Sequence, residues 1–173
     1  MKRIGLLSDT HSYLDPHVFK HFAECDEVWH AGDVGNEKVA QQLEDFKPLK
    51  LVYGNIDHGP IRHNYPLNFR FDCEGLDVLI THIGGYPGRY SKRVTKLFKE
   101  NPPGLFICGH SHILKVMNDK TYNFLHMNPG ACGHHGIHNM RTLLRFSVGD
   151  GKVSNLEVIE LGRRGKIEYG EEE

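Results

Sequence analysis

The sequence predicts an α/β fold built from two mixed β-sheets packed face to face, with helices outside. Three features of the chain lead to it. Five short runs, four apolar and one more polar, each stop at a residue able to bind a metal. Each is too short for a stable helix yet rich enough in Leu, Ile and Val for a buried strand. The first two runs are followed by segments of helical periodicity, and two βα units in succession imply a parallel sheet with crossover helices. The last third is mostly strand with turns between, which adds antiparallel pairs.

Residues 3–8 form the first strand and run into Asp9-Thr10-His11. Asp15-Pro16 then reads as a helix cap followed by proline at the first helical position, with Val18, Phe22 and Cys25 on one face. Residues 28–31 run into Gly32-Asp33, and Asn36 caps the next helix, whose inner face carries Val39, Leu43 and Phe46. Residues 49–53 end at Gly54-Asn55. From Asn68 the pattern turns antiparallel: residues 69–73 and 76–81 flank a turn at Glu74-Gly75, and the second strand ends at His82. A helix with Val94, Leu97 and Phe98 inward precedes Pro102-Pro103 and the strand 105–108, which runs into Gly109-His110-Ser111-His112. Residues 115–117 and 122–127 flank a turn at Asn118-Asp119, and 142–148 and 153–161 flank a hairpin turn at Gly149-Asp150-Gly151. The charged stretch 163–173 lacks apolar periodicity and is expected to be a flexible tail. With no repeat and no long linker, 1–173 reads as one domain.

Composition excludes more than it assigns. At 173 residues the chain can bury a sizeable core, and 25% charged with 39% apolar residues describes an ordinary globular protein. A net charge of −1 gives no global positive field, so no nucleic-acid partner is expected. The four cysteines form no CxxC pair and read as reduced core thiols. Lys2 and Arg3 are followed by only five mostly small or apolar residues before Asp9, which is no signal peptide, and no run reaches transmembrane length. The expectation is a cytoplasmic protein without membrane contact. The unusual count is histidine, thirteen in all.

Ligands at the carboxyl ends of successive strands converge on one edge of a sheet, where open α/β folds place their sites. Asp9, His11, Asp33, Asn55, His82, His110 and His112 are too many for one ion and suit two. Residues i and i+2 leaving a strand point the same way, so Asp9 and His11 can reach one ion, and His110 and His112 repeat the spacing. Gly109 before them lets the backbone approach a crowded site. Singly each signal has a plain structural alternative: Asp9 capping a turn, Gly32-Asp33 and Gly54-Asn55 as ordinary turns, His82 as a satisfied hydrogen-bonding residue. The five in sequence do not. A metal pair sharing a carboxylate is the apparatus for attack of activated water on a phosphoester.

In their order, Asp9-Thr10-His11, Gly32-Asp33, Gly54-Asn55-Ile56-Asp57, Thr81-His82 and Gly109-His110-Ser111-His112 resemble the motifs of the calcineurin-like metallophosphoesterases. The resemblance covers roughly residues 4 to 130, and the short chain and Asn128-Pro129-Gly130 match the small prokaryotic phosphodiesterase-like branch. It implies a four-layer αββα sandwich and a residue-by-residue site. Asp9, His11 and His112 would hold a first metal; Asn55, His82 and His110 a second; Asp33 would bridge them. The cofactors implied are two divalent transition-metal ions, manganese first, with iron, zinc, cobalt and nickel also suited to imidazole and carboxylate ligands. The activity implied is hydrolysis of a small phosphodiester by a metal-activated water. The alternatives are a phosphomonoesterase acting on small phosphorylated metabolites, or a retromer-subunit-like interaction scaffold. Self-association is left open.

One departure matters. Many family members carry His after Gly-Asn, thought to protonate the leaving group or bind phosphate, and here that position is Ile56. Asp57 matches the acid that follows and is expected to be catalytic; His58 and His63 are the near substitutes for the missing imidazole, His58 first. His134, His135 and His138 form a second concentration, whose reading as a third metal site needs a helix that glycines 130, 133 and 136 oppose; substrate contact is the other reading. Arg141 and Arg145 alternate on a strand as phosphate contacts or an exposed face, and Trp29 is expected in the core.

Overall fold

The computed structural model describes residues 1–165. Its first sheet is assembled from β1 (Lys2–Leu7), β2 (Glu27–His30), β3 (Leu49–Leu51), β11 (Met140–Gly149) and β12 (Lys152–Arg163) in the order β12-β11-β1-β2-β3. The second takes β4 (Asn68–Cys73), β5 (Leu76–Thr81), β8 (Leu105–Ile107), β9 (Leu114–Asp119) and β10 (Phe124–Pro129) in the order β4-β5-β8-β10-β9. Each has three parallel strands, β1-β2-β3 running to one edge of the first sheet and β5-β8-β10 in the middle of the second, and the remaining strands are antiparallel. The helices are α1 (His17–His21), α2 (Glu37–Phe46), α3 (Gly59–Asn64) and α4 (Lys92–Glu100).

Three apolar clusters lie between four layers, as the predicted sandwich requires. Between the sheets pack Ile4, Leu6, Trp29, Val78, Ile80, Ile107 and Phe146. Trp29 stands edge-on to Phe71 and Phe146 and donates its indole N–H to Glu27 Oε2 at 3.0 Å, so the lone tryptophan belongs to the core as expected. Outside the first sheet, Leu7, Val28 and Leu51 meet Val18 of α1, Val39 and Leu43 of α2 and Ile61 of α3. Outside the second, Leu79, Phe106 and Phe124 meet Val94 and Phe98 of α4. Asn36 caps α2 as expected, its Oδ1 accepting the Val39 amide at 3.3 Å, and Ser91 caps α4, its Oγ accepting that of Val94 at 3.5 Å. All four cysteines are free and buried. No helix among the described residues is long and apolar enough to cross a membrane.

Several elements differ from expectation, each for a local reason. α1 ends at His21, leaving Phe22 and Cys25 buried in the turn beyond it. The turn expected at Asn118-Asp119 follows β9 instead, because Asp119 Oδ1 accepts the amides of Thr121 and Tyr122 and bends the chain there. A two-strand ribbon, β6 (Gly85–Tyr86) with β7 (Arg89–Tyr90), and the short α3 carry no apolar period and were not foreseen. β12 runs past residue 161, and the Arg164 amide donates to the Asn139 carbonyl at 2.9 Å, so residues 163–165 of the expected tail are paired. The rest of that tail, 166–173, lies outside the described residues. Arg141 and Arg145 are not phosphate contacts. Arg141 is buried and donates to Asp15 Oδ2 at 2.7 Å, and Arg145 donates to Glu157 and to the His21 carbonyl.

His126 of β10 is fully buried beside Tyr90 and Phe106, with Nε2 unpartnered. Burial lowers its pKa to about 4. The unfolded chain therefore binds the proton that the folded one refuses between pH 6.5 and 4, and stability falls as pH drops through that window. The expected loss is on the order of 3 kcal/mol from this residue alone. His30, also buried and pushed down to about 4, adds to the same slope. Urea unfolding at pH 7 and pH 4.5 should show His126→Phe losing markedly less stability on acidification than the wild type.

Candidate metal centre

The parallel strands of both sheets deliver their carboxyl ends to one edge, and seven polar side chains meet there. Asp9 and His11 follow β1, Asp33 follows β2, and Asn55 follows β3. His82 follows β5, and His110 and His112 follow β8. Two groups close enough to share an ion emerge: Asp9, His11 and His112, and Asp33, His82 and His110. Each draws on both sheets. Asn55 joins the second, with its Oδ1 3.0 Å from His110 Nδ1. Asp33 Oδ2 faces both groups, 3.1 Å from His82 Nε2 and 3.5 Å from His11 Nε2.

The backbone at this edge is bent into a conformation that L-residues avoid. Asp9, His11, Asp33, His110 and His112 have φ of 54°, 45°, 55°, 71° and 62°. Such non-glycine positions cost of order 1–3 kcal/mol each and persist where surrounding structure holds them. Close approach does part of the holding. A Cβ at Gly54 would run into Asp33 Oδ1, and one at Gly109 into Ser8 Oγ.

The electrostatics suit a bound cation. Asp9 Oδ1, His11 Nε2 and His82 Nε2 are buried without a hydrogen-bond partner. Burial alone would raise the pKa of Asp9, but the imidazoles of His11 and His112 facing its carboxylate hold it well below the carboxylate range. Asp33 is likewise lowered against its burial by His82. Burial would lower His82, yet the Asp33 and Asp9 carboxylates beside it keep it above the ordinary imidazole value. Carboxylates that favour a proton on that imidazole would favour a cation in its place. Imidazole, carboxylate and amide oxygen donors so arranged fit divalent transition ions.

Tautomers are fixed from behind. His82 Nδ1–H donates to the Ala31 carbonyl at 2.7 Å, leaving the Nε2 lone pair for the site. His138 Nε2–H donates to the Gly133 carbonyl at 2.9 Å, which makes its Nδ1 the acceptor for His112 Nδ1–H at 3.3 Å. His112 Nε2 is thereby presented beside Asp9 Oδ1 at 3.1 Å. The histidine concentration after Gly133 thus backs the first group and builds no third ligand set among the described residues: His135 stacks on His11, and His134 packs against Tyr13. Removing the relay with His138→Ala should weaken manganese binding about 10- to 100-fold. Calorimetric titration would check it, with His138→Gln, whose carbonyl oxygen can accept from His112, recovering part of the loss.

Asp57 and His58, the expected catalytic residues, stand outside both ligand groups. Asp57 is fully buried and accepts the amides of Gly54 at 2.8 Å, Gly35 at 2.9 Å and Val34 at 3.1 Å, which ties the loop bearing Asp33 to the loop bearing Asn55. Its carboxylate is spent on holding these loops. His58 is exposed at the N-cap of α3 and belongs to neither group. Ile56 contributes its amide to Asp33 Oδ1 at 3.1 Å.

Other positioning residues went unread. His30 accepts the Gly32 amide on Nδ1 at 3.0 Å and lies 3.1 Å from Thr10 Oγ1, which donates to the Val34 carbonyl. Asn128 donates to the Gly109 carbonyl and Ser111 Oγ, both at 3.1 Å, bracing the loop that carries His110 and His112. The only sequence signals were His30 two residues before Gly32 and the Asn128-Pro129-Gly130 run.

The family profile described as the calcineurin-like phosphoesterase superfamily domain matches residues 1–151. A probable metallophosphoesterase of Methanocaldococcus jannaschii is 29% identical over 168 residues, 91% of this chain and 81% of that protein. Among solved structures, one reported as a novel archaeal phosphodiesterase superposes with a TM-score of 0.72 at 22% identity, over 92% of this chain and 99% of that one. Vps29 of Chaetomium thermophilum gives 0.71 at 16%, over 93% and 97%. At those identities the two likenesses speak to the fold.

Proposed function

Because the chain belongs to the calcineurin-like phosphoesterase superfamily, we propose that it is a binuclear metal-dependent phosphodiesterase of small substrates, working in the cytoplasm with manganese as the leading ion. The observation that carries this reading is Asp33 Oδ2, which faces an imidazole of each ligand group. Asp9, His11 and His112 would hold one ion, Asn55, His82 and His110 the other, and Asp33 both. When bound, the ions supply Lewis-acid activation of a water and neutralise charge on the phosphoryl oxygens. The chain's own contribution is preorganisation. Bent backbone, fixed tautomers and the Asp57 brace hold seven donors in place before any substrate arrives.

Diesters with good leaving groups are favoured over alkyl monoesters, because the turn after Asn55 offers no proton to a departing alkoxide and a compact chain leaves the site open to groups on both sides of the phosphorus. Ile56 stands where the family commonly has histidine, and Asp57 is buried in three amide bonds. A scaffold reading is disfavoured because every ligand position keeps a ligating side chain. The test is hydrolysis of bis-4-nitrophenyl phosphate against 4-nitrophenyl phosphate by protein loaded with manganese and by protein stripped with chelator. Both substrates release the same phenolate, so the comparison isolates diester from monoester. A higher kcat/KM on the diester that vanishes on stripping is expected. A preference for the monoester would overturn the diesterase assignment, and activity indifferent to chelation would overturn the metal mechanism.

A further inference from the structure

A cavity of about 370 Å³ opens beside Asn55 and His82. It touches the second ligand group and none of the first. Its volume is in the range of small-molecule sites, far larger than one phosphoryl group needs. Part of its wall is apolar: the Tyr53 ring, Leu67 and Ile83, the latter two large hydrophobic side chains left 41% and 40% exposed. The rest is cationic. Arg93 donates to Asn68 Oδ1 at 2.6 Å, Thr81 Oγ1 at 2.8 Å and the Ile83 carbonyl at 3.2 Å. These acceptors are neutral, so they fix the guanidinium without cancelling its charge. Arg62 donates through Nε to the Asp57 carbonyl at 3.1 Å and lies 4.8 Å over the Tyr53 ring. Neither arginine pairs with a carboxylate among the described residues, whereas Arg70, Arg141 and Arg145 all do. A chain of net charge −1 has here placed two uncompensated cations in one wall. The cavity between α2 and α3, with Glu37 and Glu44 in its lining, has the opposite character and would repel an anion.

We propose that this cavity binds one substituent of the substrate, a flat ring joined through a sugar to a second phosphate. The proposal rests on the diesterase reading and names the substrate class. The scissile phosphate would sit at the ligand groups, the ring against Tyr53, Leu67 and Ile83, and the second phosphate on the guanidiniums, whose planar forks match phosphate oxygens. A ring without the second phosphate would leave both charges unused, and a phosphate without the ring would leave the apolar wall wet.

Two diesters that release the same 4-nitrophenolate test it: thymidine 5′-(4-nitrophenyl phosphate) and its 3′-phosphorylated form, with the manganese-loaded protein. The 3′-phosphorylated substrate should have the higher kcat/KM by about tenfold, the size of one charge-assisted hydrogen bond. Arg93→Lys and Arg62→Met should each bring that ratio toward one. In parallel, calorimetry should find thymidine 3′,5′-bisphosphate binding more tightly than thymidine 5′-phosphate, with the difference reduced in the same variants. Hydrolysis of both diesters at equal rates, with equal nucleotide binding, would overturn the cavity assignment and leave the diesterase reading intact. Arginine-dependent preference for the bisphosphate without turnover of either diester would uphold the cavity and overturn the diesterase. A loss of kcat/KM in the arginine variants that is equal for both diesters would place the guanidiniums on the scissile phosphate and also overturn the proposal.

Discussion

Asp33→Asn is expected to lower kcat/KM on bis-4-nitrophenyl phosphate by on the order of a thousandfold, the loss of about 4 kcal/mol of transition-state stabilisation. The carboxylate is placed so that one oxygen faces imidazoles of both groups while the other accepts the Ile56 amide. An amide keeps the shape but lacks the charge that two cations would share. Turned to retain the Ile56 bond, it points its NH2 at the His82 and His11 nitrogens, where a cation is wanted. Metal content, read by elemental analysis after gel filtration, should fall with the activity. The apo fold should not suffer, since asparagine tolerates a φ near 55° well and a buried charge is removed. A variant that keeps its metal and stays within tenfold of wild-type activity would refute the bridging role.

Asp57→Asn should do the reverse, damaging the fold first. Three backbone amides converge on this buried carboxylate. An asparagine has one oxygen to offer them, and its NH2 would confront at least one N–H. Losing charged hydrogen bonds while stranding a buried donor should cost on the order of 3 kcal/mol. In a domain of this length that lowers Tm by roughly 6–12 °C. Thermal unfolding of the metal-free variant would show it, with no metal needed for the readout. An unchanged Tm would mean that the loops bearing Asp33 and Asn55 are held by something else. Together the two substitutions separate the adjacent acids: one for ligation at little cost to the fold, the other for the fold with ligation failing second.

What the sequence disclosed and what it withheld divide along the distance over which each feature is decided. Strand ends followed by ligands are local patterns, so the run 3–8 into Asp9 and the run 105–108 into His110 could be read directly. The layering followed from alternating element types. The amide partners of Asp57 are not legible, because a carboxylate two residues from a ligand looks the same whether it faces substrate or three amides, two of them from a loop more than twenty residues away. Arg141 was read as a surface residue because its partner Asp15 is 126 residues distant. The role of His138 likewise depends on the fold bringing it against His112. α3 has one buried apolar residue, Ile61, and no periodicity to announce it; its place comes from packing under α2.

Each ligand group is divided between the two sheets: Asp9 and His11 from the first with His112 from the second, and Asp33 from the first with His82 and His110 from the second. An ion in either group is therefore a further cross-brace between halves of the sandwich that side-chain packing and a few hydrogen bonds, such as Thr142 Oγ1 to the Pro129 carbonyl, already join. At a hundredfold excess over its Kd, one ion adds about 2.7 kcal/mol to the native state. That energy is delivered at the rim, where the backbone is most contorted. Stripped protein should breathe there, with amide exchange fastest in the segments 9–12, 32–35 and 109–113. Loaded protein should exchange those amides only when the whole sandwich opens.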